Sequence, residues 1–584
     1  MTENSLAAGH VRLQVPQLKC ERDLPLYHDI RELLDGCAKR FKDLPAYIIK
    51  IKKETKAAAA EYRKVSFLKL REEVDRLGAA LMSIGLQGKR LAVIGKNRYE
   101  WMLGYYAQLC GLGITVPLDK DLPYDEFESS IERSKTDAVI FDPALTGYME
   151  KLKASGHDLT FICMEEKEGY LSVPELLKKG YELPEENVAA YRALPVDGNA
   201  LSIILFTSGT TSLSKAVMLT QFNITHNCWS VSSAEDLRVG DVNMAFLPYH
   251  HTFGSTGQTM MSYVGMTTVF CDGLKYIQKN ICEYGVSVFI CVPLLIESIH
   301  KRIMSEIKRQ GKDKTFAKGV KISRFLRKRG IDLRRRLFKD VHEKLGGKLR
   351  YIISGASPLD PVVAESFTDM GIQVVQGYGM TEASPVIAAE NIPNLRFGTV
   401  GKAIPGVDVM IEDPNEEGIG EIIVRGPNVM MGYYEDEEDT EAIMGDGWLH
   451  TGDLASMDSD GFVTIRGRKK NVIVLKNGKN VYPEEIETLI NNLPYVSECM
   501  VFGEPKREDD PTDLILSVRI VYNPEAAKEL YEADTKEAIE KLASHDIESL
   551  NAELPAYKHI YRKYITDEPM EKTTTGKVKR YKQI

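Results

Sequence analysis

The hydrophobic positions of the first 300 residues or so fall into two alternating rhythms. Leu70, Val74, Leu77, Leu81 and Ile84 recur at spacings of four and three, which marks one apolar face of a helix. A Gly-containing turn follows, then the strand-like run Leu91–Ile94, a helical stretch over Trp101–Leu109, and further strand-like runs at Ile114–Pro117, Ala138–Phe141 and Phe161–Cys163. Strands alternating with helices predict parallel sheets covered on both faces, an α/β fold. After Gly401 the rhythm changes. Gly420–Val424 and Gly461–Ile465 are strand-like and bounded by Gly/Pro/Asp turns. The tail then reads helix (Glu484–Asn491), strand (Cys499–Phe502), strand (Leu514–Val521) and helix (Lys536–Leu550), a small α+β unit. The expected division is a large domain over 1–469 and a C-terminal domain over 470–584.

Composition narrows the class. Apolar residues make up 43% and charged residues 27% of the 584, the balance of a globular protein and not of a disordered, collagen-like or membrane-spanning one. The formal charge of −9 argues against a nucleic-acid partner. The nine cysteines are scattered without a C-x-x-C pair, which offers neither a zinc cage nor a disulfide framework and suits a reducing compartment. The first residues contain no apolar signal-like run, and Val286–Ile296, the most apolar stretch, is too short to span a bilayer. A cytoplasmic protein is expected. Charge is nevertheless uneven: 301–350 holds nineteen Lys/Arg against five acids, a net +14 that leaves −23 on the rest. Such a block reads either as a solvated helical insertion or as an electrostatic dock for an anionic membrane, where each cation contributes up to about 1 kcal/mol. The phosphates of a nucleotide-like co-substrate are another partner for it.

Chemistry concentrates in short motifs. An apolar run, Leu201–Leu205, leads into Phe206-Thr-Ser-Gly-Thr-Thr-Ser-Leu-Ser-Lys215. Hydroxyls, a glycine that leaves backbone N–H groups unobstructed and a closing lysine suit a polyphosphate cradle; the plainer reading is a Ser/Thr-rich hairpin connection. Further on come Ser354-Gly-Ala-Ser-Pro-Leu359, Gln376-Gly-Tyr-Gly-Met-Thr-Glu382, Thr451-Gly-Asp453, Gly467-Arg-Lys-Lys-Asn471 and Thr573-Thr-Thr-Gly-Lys577. Each alone is a turn or a solvated charge. In this order along one chain they resemble the signature motifs of the adenylate-forming superfamily, over about Tyr27 to Lys579. The basic insertion after Pro293-Leu-Leu-Ile296 and the run Gly478-Lys-Asn-Val-Tyr-Pro-Glu-Glu485 look most like long-chain fatty acyl-CoA ligases.

The resemblance implies a reaction in two halves: a fatty carboxylate and ATP form an acyl-adenylate and pyrophosphate, and coenzyme A then takes the acyl group and releases AMP. It also implies roles. Thr207, Ser208, Gly209, Thr210, Thr211 and Lys215 would wrap the β- and γ-phosphates. Gly355, Ala356 and Ser357 on one side, with Gln376, Gly377 and Tyr378 on the other, would form the adenine slot, and Gly379 and Met380 would continue its wall. Thr381 would donate to the α-phosphate and Glu382 would hold Mg²⁺. Asp453 would take the ribose hydroxyls with Arg468 beside it. Lys577 would join carboxylate and α-phosphate in the first step. His251, in Pro248-Tyr-His-His-Thr-Phe-Gly254, would line the acyl pocket; the plainer alternative is a structural histidine paired to a backbone carbonyl. Gly379 would leave room for the alkyl chain, Gly478 would line the pantetheine tunnel, and Lys470 would be the hinge of a mobile C-terminal domain.

Two departures stand out. The family's phosphate loop usually reads T-S-G-T-T-G-x-P-K-G, whereas here Ser212, Ser214 and Ala216 replace a Gly, the Pro and the last Gly. Asn471 stands where many members carry Asp. The alternatives are a ligase that loads a carrier protein and a nucleotide-binding homologue weakened in turnover.

Overall fold

The computed structural model describes residues 10–52, 59–207, 214–507, 509–572 and 578–580. Two large sheets organise the N-terminal part. The first has eight strands in the order 432–433, 215–220, 201–207, 113–118, 89–94, 138–141, 160–163 and 171–172. The second has nine, in the order 402–403, 386–389, 373–379, 351–354, 288–291, 242–245, 267–270, 45–52 and 61–66. Their central ladders are parallel and antiparallel pairs are confined towards the edges, as the alternating pattern predicts.

The predicted helix spans Phe67–Ser83, capped by Ser66, whose hydroxyl accepts the N–H of Lys69 at 3.1 Å. Its apolar face, Leu70, Val74, Leu77 and Leu81, is fully buried. The helix over Tyr99–Ala107 ends in a wide turn, Gln108–Leu112, and strand Gly113–Leu118 follows. Trp101, Tyr47, Tyr99, Tyr105, Tyr106 and Tyr249 are buried in the core the two sheets share.

Five antiparallel strands lie in linear order, 12–14, 408–412, 419–425, 449–457 and 463–468, as an open sheet. Its edge strand, Arg12–Gln14, comes from the chain's start and pairs with Asp408–Glu412, a contact across 400 residues that no local pattern announces. The C-terminal part is a three-stranded sheet, Val496–Arg507, Asp510–Tyr522 and Ile560–Thr566, covered by helices Pro483–Asn491 and Lys536–Glu553 around a separate core that includes Ile486, Val518, Ile520 and Ile547.

The basic block is helical, exposes most of its cations and packs one face onto the large domain. It folds as Pro293–Arg309, Asp313–Arg327, Arg334–Leu337 and Lys339–Lys344. Ile299, Ile303, Phe316, Val320, Phe338 and Val341 pack into the core beneath it, and Arg324 donates to Asp369 of helix Pro361–Met370 at 2.8 Å.

Candidate active site

Two of the sequence-predicted segments, 355–357 and 376–382, lie at and beyond the C-terminal ends of the parallel strands of the nine-stranded sheet, where open α/β sheets place their ligands. Cys291, Ser354 and Gln376 lie side by side in register on three of these strands, and the chain leaves them as the segments 292–297, 355–360 and 377–382. Gly355 is buried, and a Cβ there would come within 2.9 Å of the Phe253 ring. Ala356 holds a left-handed φ of 73° and is exposed with Ser357. Gln376 departs from its expected part. Its side chain is buried, accepting the N–H of Leu359 at 3.0 Å and donating to the Thr399 carbonyl at 3.4 Å, and its own N–H and carbonyl are both engaged by Glu390, at 3.0 and 2.8 Å.

Tyr378 and Arg468 meet at Asp453. The Tyr378 hydroxyl donates to Asp453 Oδ2 at 2.6 Å, and Arg468 Nε lies 2.6 Å from Oδ1 across neighbouring antiparallel strands. Burial, reinforced by the Asp453 charge, pushes the Tyr378 phenol well above its ordinary value. Asp453 is itself buried, and its loop is fixed by two further bonds: the Thr451 hydroxyl donates to the Ile422 carbonyl at 2.8 Å, and the Gly452 N–H donates to Glu421 Oε1 at 3.0 Å. The second Glu421 oxygen accepts Lys469 Nζ at 2.7 Å. Burial would raise the Glu421 carboxyl, but His450, Lys469 and the Gly452 N–H together hold it down to about 2.

A second chain of contacts runs from Glu382 to the mouth of the phosphate motif. Glu382 is buried in the single turn Thr381–Ala383, and its Oε1 accepts the Tyr433 hydroxyl at 2.9 Å. Lys215 Nζ lies 4.7 Å from the centroid of the same tyrosine ring and 2.6 Å from Asp439 Oδ2. Thr207 stands opposite Lys215 in the hairpin, its hydroxyl donating to the Lys215 carbonyl at 3.4 Å. Among the described residues, Glu382 Oε2 has no protein partner. A lone carboxylate oxygen near a polyphosphate segment fits Mg²⁺, which takes one or two carboxylates and completes its shell with phosphate and water.

A profile of the AMP-binding enzyme family matches residues 34–434, and one of the AMP-binding enzyme C-terminal domain matches 470–584. The chain belongs to the AMP-binding enzyme family. Within this adenylate-forming superfamily it is most similar to long-chain fatty acid–CoA ligases, which makes it an acid–thiol ligase. Long chain acyl-CoA synthetase 7, peroxisomal, of Arabidopsis thaliana is 30% identical over 479 residues, 76% of this chain and 67% of the relative. Long-chain-fatty-acid–CoA ligase FadD15 of Mycobacterium bovis is 29% identical over 458 residues, 74% of this chain and 75% of the relative. The fold is shared with the anthranilate CoA ligase AuaEII in complex with anthranoyl-AMP, at TM-score 0.74 and 20% identity over 96% of this chain and 97% of that one. ATP-bound MatB from Rhodopseudomonas palustris gives TM-score 0.70 at 23% identity over 95% and 98%.

In this AMP-binding fold His251 caps helix Thr252–Val264, with His250 behind it. The two rings approach at Nε2–Nε2 3.0 Å, and Asp119 Oδ2, from the end of a strand of the other large sheet, lies 3.4 Å from His250 Nε2. Burial, then the neighbouring His251, lower His250 to about 2, so it is neutral. Beside them a cavity of about 20 Å³, room for about one water, is lined by Leu247, Tyr249, Phe253, Gly257, Gln258 and Ile290.

Two glycines have structural reasons other than those expected. A Cβ on Gly379 would lie 1.8 Å from the Pro385 carbonyl oxygen, so the missing side chain faces backbone and not an alkyl channel. Met380, half-buried beyond it, donates its N–H to that same carbonyl at 2.9 Å. Gly377 faces only the Ala388 carbonyl, at an ordinary 3.6 Å. Gly478 has φ 76° in a turn between Ile473–Val474 and Asn480–Val481, and among the described residues nothing would lie within 4 Å of a Cβ there, so the turn's backbone accounts for the glycine.

Lys470 lies in the turn Lys469–Asn471 that joins the five-stranded sheet to the C-terminal part. Asn471, despite lacking a charge, donates to Glu484 Oε1 at 2.6 Å. Ser208, Gly209, Thr210, Thr211 and Lys577 lie outside the described residues. On either side of 573–577, Lys572 and Val578 form an antiparallel bridge, anchored to the C-terminal sheet by Lys572–Glu498 at 2.6 Å and to helix Pro483–Asn491 by Arg580 on Glu487. Sequence reasoning missed Tyr433, Asp439, Glu421 and Asp119. Only Glu421 and Tyr433 had a local signal, a carboxylate in Gly-Glu-Ile and a tyrosine in Gly-Tyr-Tyr; their partners lie 48 and 51 residues away.

Proposed function

We propose that the chain activates a medium- or long-chain fatty acid with ATP and passes it to coenzyme A. In the first half-reaction a carboxylate oxygen bonds to the α-phosphorus and pyrophosphate leaves. In the second the coenzyme A sulfur, its proton lost to solvent, bonds to the acyl carbon and AMP leaves. The obstacle in the first step is bringing one anion onto another, so catalysis here means positioning and fixed positive charge. The observation that carries the reading is a pair of contact clusters, Asp453 with Tyr378 and Arg468, and Tyr433 with Glu382 and Lys215, which the short run 378–382 joins along the chain.

Asp453 accepts the ribose hydroxyls through its two carboxylate oxygens, which together offer about four acceptor directions. Arg468 pairs with its Oδ1. Gly355, Ala356 and Ser357 face Gly377 and Tyr378 across the adenine. Lys215 and the hydroxyls of 207–211 hold the β- and γ-phosphates, Thr381 donates to the α-phosphate, and Glu382 with Tyr433 orients the metal side, where Mg²⁺ neutralises phosphate charge when bound. Lys577, brought by the C-terminal domain, bridges carboxylate and α-phosphate. His251 orients the acyl head group. Domain rotation at Lys470 then withdraws Lys577 and admits the thiol.

Pyrophosphate release with a fatty-acid length series, with and without coenzyme A, tests the reading. Acid-dependent release and coenzyme A-dependent acyl thioester support it. Release with a carrier protein but not with coenzyme A would move the acceptor, and no release with any acid would leave a nucleotide binder.

No helix among the described residues is long and apolar enough to cross a membrane. The basic block nonetheless supports peripheral contact with an anionic bilayer, where long-chain acids partition. On helix Asp313–Arg327 the outward stripe carries Lys314, Lys318, Lys321, Ile322 and Phe325, and the chain continues through exposed Lys328, Arg329, Ile331, Leu333 and Leu337. Exposed aliphatic and aromatic groups among cations suit a headgroup boundary.

A further inference from the structure

The phosphate motif departs from the family pattern at Ser214, and an arginine from another element grips that residue. Ser214 directly precedes Lys215, in the place usually held by proline. Arg133, the last residue of helix Tyr124–Arg133, donates from Nη2 to the Ser214 carbonyl at 2.8 Å and from Nη1 to its hydroxyl at 3.4 Å. The guanidinium also lies over the Phe206 ring, 5.2 Å from its centroid. Phe206 pairs with Ala216 across the hairpin, and Thr207 pairs with Lys215. One side chain therefore touches both strands at the mouth of the segment. On the far side Lys215 is held by Asp439 and the Tyr433 ring, so its two ends are fixed from different elements.

A proline narrows a segment by removing φ freedom from its own residue. A forked guanidinium narrows the same segment from outside, because its rigid plane fixes the direction of the carbonyl it holds. We propose that Arg133 is a positioning residue for the triphosphate: it sets the direction in which Ser214 delivers Lys215 and so replaces the missing proline. The assignment rests on the reading of 207–215 as the phosphate segment. Arg133 is given no contact with adenine or ribose, so its removal should affect the β- and γ-phosphates alone.

The test is calorimetric binding of ATP and of AMP to wild type, Arg133→Met and Arg133→Lys. Arg133→Met should weaken ATP about tenfold, about 1.4 kcal/mol, and change AMP by less than twofold. Arg133→Lys keeps one donor for the Ser214 carbonyl and should fall between. AMP affinity also reports folding, so a disordered variant cannot pass for a positioning defect. Equal loss of ATP and AMP in Arg133→Met, or no loss of either, would overturn the assignment alone. A wild type that binds ATP no more tightly than AMP would overturn the phosphate-segment reading beneath it.

Discussion

Asp453 and Arg468 face each other on adjacent antiparallel strands, Nε to Oδ1 at 2.6 Å, and Tyr378 occupies the other carboxylate oxygen. A carboxylate so held is fixed in orientation, and its oxygens are the acceptors proposed for the two ribose hydroxyls. Asp453→Asn keeps the shape, removes the charge and turns one acceptor into a donor. We expect the KM for ATP to rise by roughly tenfold or more, the loss of one to two charge-assisted bonds, and the preference for ATP over 2′-deoxy-ATP to collapse. Steady-state kinetics with both nucleotides decide it; an undiminished preference would remove Asp453 from the ribose.

Lys577 is proposed for the first half-reaction only. Lys577→Ala should therefore abolish acid-dependent pyrophosphate release while converting supplied acyl-adenylate to thioester at a rate within about threefold of wild type. A lysine serving as a transition-state cation contributes several kcal/mol at the step where charge accumulates and nothing elsewhere. Equal loss in the two assays would contradict this division of labour.

What the sequence made legible follows from distance along the chain. The helix at Phe67–Ser83 and the strands at Lys89–Ile94 and Ala138–Phe141 rest on local periodicity, which the structure matches. The two motif residues Asp453 and Arg468 sit fifteen positions apart on a hairpin, and motif order placed them together. The edge strand Arg12–Gln14 was invisible because its stabilising partner is 400 residues distant. Gly379 and Gly478 show the limit of reading a glycine as space: one answers to the Pro385 backbone and the other to its own φ, neither of which a residue type discloses. Arg133 and Asp439 belong to no motif, and they become functional candidates only through what they touch.

The outward stripe of helix Asp313–Arg327 predicts binding to anionic vesicles that weakens with salt. Sedimentation with phosphatidylserine-containing liposomes at low ionic strength should fall several-fold at high salt, since exposed cations are screened beyond about a Debye length. Lys318→Glu with Lys321→Glu should remove most of the low-salt binding, and Phe325→Ser should remove the residue that persists at high salt. All three positions are exposed, so the fold is spared. Sedimentation that is independent of salt would exclude the electrostatic dock.

Glu235 and Glu390 make stability fall as pH rises. Both are buried, and burial pushes each carboxyl up to about 8 against opposing hydrogen bonds, from Tyr351 to Glu235 and from the N–H groups of Arg396 and Gln376 to Glu390. The native state keeps these protons while the unfolded chain gives them up above its ordinary carboxyl value. The unfolded state thus binds fewer protons over pH 5–8, and stability drops there by up to about 1.4 kcal/mol per pH unit for each carboxyl. Above pH 8 both states are ionised and the loss is complete. Glu235→Gln retains an oxygen that accepts the Tyr351 hydroxyl but cannot ionise, so it should remove about half of this slope and leave the variant more stable than wild type at pH 8. Urea unfolding followed by tryptophan fluorescence reads this directly, since Trp101, Trp229 and Trp448 all lie before residue 470. A variant whose midpoint tracks the wild type across pH 5–8 would show that Glu235 is already ionised in the fold.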